Sequence, residues 1–261
     1  MNRPFANPLK QLLREGKKTL GAWAQLGSPL TAEILARAGF DWLMIDMEHG
    51  PGDIMTLISQ CQAISGTECV PLVRAPWNDF VVAKRILDAG AYGILFPYVN
   101  TAAEAEAAVR ACKYPPQGIR GVAGSPRAVG FGQDISHYLS RANEELLVLV
   151  AVETLEAVAN LPEILGVEGL DGVFIGPMDL ATSMGYFANP GHPEVQSAIA
   201  RAEEGVLRAG KVLATTCTSW EQAENLYQRG YQMLMVLADG VGLAKLAADR
   251  VTAFRKAFPQ R

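Results

Sequence analysis

The stretch Ala38-Gly39-Phe40-Asp41-Trp42-Leu43-Met44-Ile45-Asp46-Met47-Glu48-His49-Gly50 decides how the chain is read. A glycine closes a helical segment, a short connection follows, and an unbroken apolar run begins. That run ends in two acids and a histidine. AGAYGILFP (89–97), VEGLDGVFIG (167–176) and RGYQMLMVL (229–237) share the layout of glycine, short loop and apolar run. Working outward, strand-like runs fall at 20–26, 42–48, 70–74, 93–98, 147–153, 172–176, 212–216 and 233–237. Amphipathic helical stretches alternate with them at 30–38, 54–65, 80–89, 102–113, 155–165, 193–209, 220–229 and 243–257. Such alternation means parallel strands joined by right-handed crossovers. Eight units within 261 residues predict a single α/β domain, a closed (β/α)8 TIM barrel over residues 1–261. An open doubly wound sheet would show GxGxxG after the first strand, but that turn reads Gly27-Ser28-Pro29.

Composition narrows the function. With 49% hydrophobic and 19% charged residues, the chain can build a large core and is not disordered. A net charge of −4, with Lys and Arg scattered, gives no footprint for nucleic acid. The longest apolar runs are too short to span a bilayer. Residues 1–18 are mixed and basic without the apolar segment of a signal peptide. The four cysteines, Cys61, Cys69, Cys112 and Cys217, form no CxxC pair and suit a reducing, cytoplasmic compartment. One irregular segment, residues 114–143, is rich in Gly and Pro and precedes the fifth strand. A connection of that length suggests a lid or a site wall.

In a barrel the chemistry sits at the C-terminal ends of the strands. There the second strand offers Asp46, Glu48 and His49, and the third offers Arg74. The fourth ends in Pro97-Tyr98-Val99-Asn100, with nothing strongly ionisable. The fifth ends in Glu153, and the sixth leads into Gly176-Pro177-Met178-Asp179. Thr215, Thr216 and Asp239 close the last two strands. Adjacent strands lie about 4.8 Å apart, so Glu153 and Asp179 can reach one cation. Oxygen ligands alone suit Mg²⁺ or Mn²⁺. The competing reading makes each acid the N-cap of the next helix. His49 is a candidate base, whereas His137 and His192 fall in connections. Arg74 needs an anionic partner, either a substrate carboxylate or an internal acid. No lysine falls at a strand's C-terminal end, which disfavours Schiff-base chemistry.

GFDWLMIDMEHGP, VRAPWND, LDAGAYGILFPYV, KYPPQGIRGV, VET, DGVFIGPMDLATSMGY and NPGHPEV, in that order, resemble the HpcH/HpaI family of class II, metal-dependent pyruvate aldolases. The resemblance spans residues 21–248. It implies a phosphoenolpyruvate/pyruvate-type barrel and a homohexamer, a trimer of dimers whose C-terminal helices exchange between subunits. It implies a small-molecule 2-oxo acid and an aldehyde as reactants, with Mg²⁺, Mn²⁺ or a similar ion such as Co²⁺ as cofactor. By matching position it implies Glu153 and Asp179 as metal ligands, His49 as base, Asp88 as the group raising the basicity of His49, and Arg74 as stabiliser of the enolate. The Gly176, Pro177, Met178 and Asp179 turn would hold the pyruvyl carboxylate. Two departures bear on substrate. Many members carry Gln two residues before the metal-binding Glu, where this chain has Ala151, and the typical GVGSALARA segment is replaced by Gly121-Val122-Ala123-Gly124-Ser125-Pro126-Arg127-Ala128. Two other readings remain open at this point. One is related enolate chemistry, either decarboxylation of an oxaloacetate-like acid or acyl-CoA cleavage. The other is a metabolite-binding barrel without catalysis.

Overall fold

Strands β1 (Thr19–Ala24), β2 (Trp42–Asp46), β3 (Val70–Arg74), β4 (Gly93–Phe96), β5 (Leu147–Val152), β6 (Gly172–Ile175), β7 (Val212–Thr216) and β8 (Met233–Ala238) pair in parallel, and β8 closes on β1. The computed structural model describes residues 5–260. The expected (β/α)8 TIM barrel is therefore the architecture, and all eight strands lie where the apolar runs put them.

Side chains alternate across each strand, and that parity builds two cores. Leu43, Ile45, Val73, Val148, Val150 and Val152 face the helices. Trp42, Met44, Leu72, Leu149, Ala151, Phe174 and Met235 fill the barrel interior. Both faces are buried, which is why the strands read as continuous apolar runs. Gly21 is needed beside Trp42, its register partner, because a Cβ there would lie 2.4 Å from the indole. Trp42 is fully buried and donates from Nε1 to Thr19 Oγ1 at 3.0 Å. The same parity carried one step past the apolar layers lifts Asp46, Arg74 and Glu153 onto the C-terminal mouth.

Helices follow the strands: α2 (Pro29–Arg37), α3 (Ile54–Ile64), α4 (Phe80–Asp88), α5 (Ala102–Cys112), α11 (Pro193–Arg208), α12 (Trp220–Gln228) and α13 (Asp239–Ala257). Ser28, Asp53, Asp79, Thr101 and Ser219 cap their N-termini through side-chain oxygens. Three features were not anticipated. A first helix, α1 (Pro8–Arg14), sends Leu9 and Leu13 into the interior at the N-terminal end of the barrel. The stretch 155–165 splits at Asn160 into α8 (Leu155–Ala159) and α9 (Leu161–Leu165), where Pro162 cannot continue the preceding hydrogen-bond ladder. A short helix, α10 (Pro177–Ser183), starts directly after β6.

The irregular segment differs from expectation. It holds a 3-10 turn (Arg127–Gly132), α6 (Ile135–Leu139) and α7 (Ala142–Glu145). It joins a helix to the next strand, and such connections lie at the N-terminal end of a barrel. Arg127 donates to the carbonyl oxygens of Ala89 and Cys61, and Arg120 pairs with Asp88 at the far end of α4. Within one chain it is a floor and not a lid.

Candidate active site

The register of β2 on β3 sets the central ion pair. Asp46 lies directly opposite Arg74, and both point into the mouth. Arg74 Nε donates to Asp46 Oδ1 at 3.0 Å and Nη2 to Oδ2 at 2.6 Å, a bidentate fork. Arg74 Nη1 lies 3.1 Å from Glu48 Oε2, and the guanidinium stacks 4.4 Å from the Trp23 ring centroid. Gln25 donates to Asp46 Oδ2 at 2.8 Å, and the backbone N–H of His49 donates to Asp46 Oδ1 at 3.2 Å. Burial alone would raise the Asp46 carboxyl, but the Arg74 guanidinium overrides it and holds that group below the usual carboxylate range. Glu48 goes the other way: burial raises it, against the pull of Arg74. The partner expected for Arg74 is thus internal, and Asp46 occupies two of its three nitrogens.

On the other side of the mouth, β5 and β6 carry the acids. Val152 is opposite Ile175, so Glu153 comes level with Gly176. A Cβ on Gly176 would lie 2.6 Å from Glu153 Oε2, so only glycine leaves room for the carboxylate. Glu153 is buried, and its Oε1 accepts from the Tyr98 backbone N–H at 2.8 Å. Burial pushes its carboxyl up to about 7, and the negative charge of Asp179 adds to the rise. The Tyr98 hydroxyl lies 3.4 Å from Asp179 Oδ1, so one residue touches both acids. Tyr98 holds a left-handed backbone, φ 50°, and stacks on Trp77 at 6.3 Å. The N-cap reading fails for both acids. Thr154 caps α8, Gly176 begins α10, and Asp179 lies in the first turn of α10.

These groups suit a hard divalent cation. Glu153 is a carboxyl raised by burial, with Asp179 beside it, and the Gly176 cleft keeps Oε2 clear. Among the described residues no three His, Cys, Asp or Glu side chains converge. Two carboxylates leave most positions of an octahedral ion to water or substrate, as Mg²⁺ sites commonly do.

A cavity of about 510 Å³ opens at this mouth, lined by Arg74, Glu153, Gly176, Pro177, Met178 and Asp179, and extending to Thr218 and Lys245. His49 stands at the rim, with its side chain 66% exposed and Nε2 4.0 Å from Glu48 Oε2. No side chain caps the start of α10. A larger groove of about 600 Å³ lies on the flank beside α5 and holds none of the strand-end residues. Its buried Lys10 and Lys113 both donate to the Leu146 carbonyl oxygen.

Four expected residues thus meet at one mouth: Arg74, Glu153 and Asp179, with His49 at the rim. Two do not join them. Asp88 ends α4 at the opposite end of the barrel, where its carboxylate accepts from Arg120 Nη2 at 2.8 Å. Ala151 was expected on the substrate side. It is instead buried in the interior layer with Trp23 and Phe174, below the cavity. Asp239 is spent on the backbone N–H groups of Gln25 and Leu26 and the hydroxyl of Thr31. His192 stacks on Tyr186 at 3.6 Å and is not part of the cavity lining. Roles for Asp46, Glu48 and Tyr98 were missed. Strand parity would have put Asp46 on the inward face, whereas nothing local marks Tyr98.

Comparison with known proteins agrees with this geometry. The family model described as HpcH/HpaI aldolase/citrate lyase matches residues 19–245. A 4-hydroxy-2-oxo-heptane-1,7-dioate aldolase of Shigella sonnei is 45% identical over 248 residues, covering 95% of each chain. The crystal structure of a family protein from Burkholderia cenocepacia superposes with a TM-score of 0.92 at 38% identity, covering 96% of this chain and 100% of that one. The HpcH/HpaI aldolase from Desulfitobacterium hafniense gives 0.89 at 29% identity, covering 97% of each.

Proposed function

Because the chain belongs to the HpcH/HpaI aldolase/citrate lyase family, we propose that it is a divalent-metal-dependent aldolase that reversibly cleaves a 4-hydroxy-2-oxo acid into pyruvate and an aldehyde. The observation that carries this reading is Glu153, a buried carboxyl raised to about 7 beside Asp179 and open to the cavity through the Gly176 cleft. Glu153 and Asp179 would hold Mg²⁺, Mn²⁺ or a similar ion such as Co²⁺. Bound there, the ion supplies Lewis-acid polarisation of the 2-oxo group.

The chain's own residues do the rest. In the Gly176–Asp179 turn the N–H of Gly176 is held by Val152 and Pro177 has none, so the Met178 and Asp179 N–H groups at the uncapped start of α10 orient the C1 carboxylate. His49, at the open rim, takes the C4 hydroxyl proton directly or through a water, the C3–C4 bond breaks with its electron pair left on the three-carbon fragment as the aldehyde forms, and C3 is then protonated to give pyruvate. Arg74, fixed by Asp46, faces the negative charge that grows on the three-carbon fragment. The Trp23 and Phe174 rings floor the cavity and keep water from beneath it. The name of the curated relatives makes a seven-carbon 1,7-dioate the first substrate to try.

Asp88 lies at the N-terminal end, so a role for it at His49 requires the Asp88 of another subunit. Assembly as a hexamer with exchanged C-terminal helices is supported by α13, where Val241, Leu243, Leu246 and Val251 are each about half exposed or more. Residence in the cytoplasm is supported by four buried, unpaired cysteines. No helix among the described residues is long and apolar enough to cross a membrane.

The test is pyruvate release from a panel of 4-hydroxy-2-oxo acids, with and without Mg²⁺ or Mn²⁺. Metal-dependent release from at least one acid is expected. No release from any acid, with metal supplied, would contradict the reading.

A further inference from the structure

The cavity has two cationic side chains in its lining, and they differ in what they already hold. Arg74 gives Nε and Nη2 to Asp46 and sets Nη1 against Glu48. It is fixed at the reacting end of the cavity, beside the acids of β2. Lys245, in the second turn of α13, lines the same cavity and is exposed. Among the described residues no hydrogen bond, ion pair or ring contact engages it. The same cavity is lined by Phe174, Val236, Leu237 and Val241, a surface for methylene groups, and by Thr216 and Thr218.

The spacing matches a chain charged at both ends. Asp179 follows β6 and Lys245 follows β8, two strands on, so the strand ends that carry them are about 10 Å apart around the mouth of the cavity that both line. An extended seven-carbon chain covers about 8 Å. The flexible four-carbon stem of a lysine spans the difference. We propose that Lys245 is a specificity-determining residue that pairs with the distal carboxylate of a dicarboxylic 2-oxo acid whose 2-oxo end lies at Glu153 and Asp179. This rests on the aldolase reading and adds the group that selects the second charge. An exposed ammonium is well hydrated, so the gain is modest and lies in selectivity.

The experiment uses two unreactive ligands of equal length, 2-oxoheptanedioate and 2-oxoheptanoate. Both lack the C4 hydroxyl, so binding is read apart from turnover. Dissociation constants are measured by calorimetry on the Mn²⁺-loaded protein, for the wild type and for Lys245→Ala, Lys245→Arg and Lys245→Glu. The expected result is a wild-type preference for the dioate. The Ala variant should lose about threefold to fivefold of that preference, the Arg variant should keep it, and the Glu variant should reverse it. Binding of the monoacid should stay within about twofold for the Ala and Arg variants. A wild type without preference, or a preference unchanged in Lys245→Ala, overturns the proposal. Equal weakening of both ligands with a change in oligomer size on light scattering also overturns it, because Lys245 then serves a subunit contact. The aldolase reading stands or falls separately, on pyruvate release from reactive acids.

Discussion

His49 and Glu153 illustrate opposite ways of tuning a side chain at one mouth. His49 is open to solvent, and its backbone N–H donates to Asp46. Its replacement by Ala leaves no cavity and no buried unpaired group. His49→Ala should lower aldol cleavage by about 10² or more, the scale of a general base, with metal affinity and melting temperature unchanged. Wild-type turnover in the metal-replete variant would remove His49 from the mechanism. Glu153 is buried, and its carboxyl rises from 4.5 to about 7. The folded state then holds this proton more tightly than the unfolded chain does. Stability of the metal-free protein therefore falls as pH rises from about 5 to about 8, by at most ~3 kcal/mol. Calorimetric melting of the metal-free protein should show that decline, and Glu153→Gln should reduce it to the smaller part left by Glu48. A flat profile in the wild type would mean that the acid is compensated by some other group.

The strand is the element that turns sequence into site. Trp42, Met44 and Asp46 share one face of β2, and Val70, Leu72 and Arg74 share one face of β3. A shift of one residue in either strand would part Arg74 from its acid, and a shift of β3 would turn Arg74 into the aliphatic layer under the helices. On β5 and β6 the equivalent constraint is Gly176. Gly176→Ala puts a methyl group 2.6 Å from Glu153 Oε2. Metal affinity by calorimetry should fall tenfold or more while far-ultraviolet circular dichroism stays unchanged, and undiminished affinity would count against Glu153 as a ligand. The strands and the rim acids were readable because both obey a two-residue period in continuous apolar runs. Helix α10 and the break at Asn160 were not, being too short for a helical period to register. Ala151 lies beneath the cavity floor of Trp23 and Phe174, a depth that the sequence position alone does not give. Tyr98 reaches Glu153 through a left-handed backbone that no residue type announces.

At the scale of the whole molecule the barrel is closed, but its last helix is unfinished. Of α13 only Asp239 is buried, and Leu30, Ile34 and Met55 leave apolar side chains exposed on α2 and α3. Light scattering should report a hexamer for the intact chain and smaller species after removal of residues 243–261. A stable monomer of the intact chain would refute helix exchange. Residues 114–143 and Asp88 mark the limit of reading a chain alone, since their place at the N-terminal end follows from topology and not from local pattern. The central claim is that catalysis runs through a cation on Glu153 and Asp179 and not through a lysine. The most direct test treats the wild-type protein with EDTA, then with Mg²⁺ or Mn²⁺, and in parallel with borohydride and pyruvate. The account predicts that activity is lost to EDTA and restored by the metal, and that borohydride leaves no pyruvyl adduct by mass spectrometry. Full activity in EDTA together with a borohydride-trapped pyruvyl-lysine would contradict it.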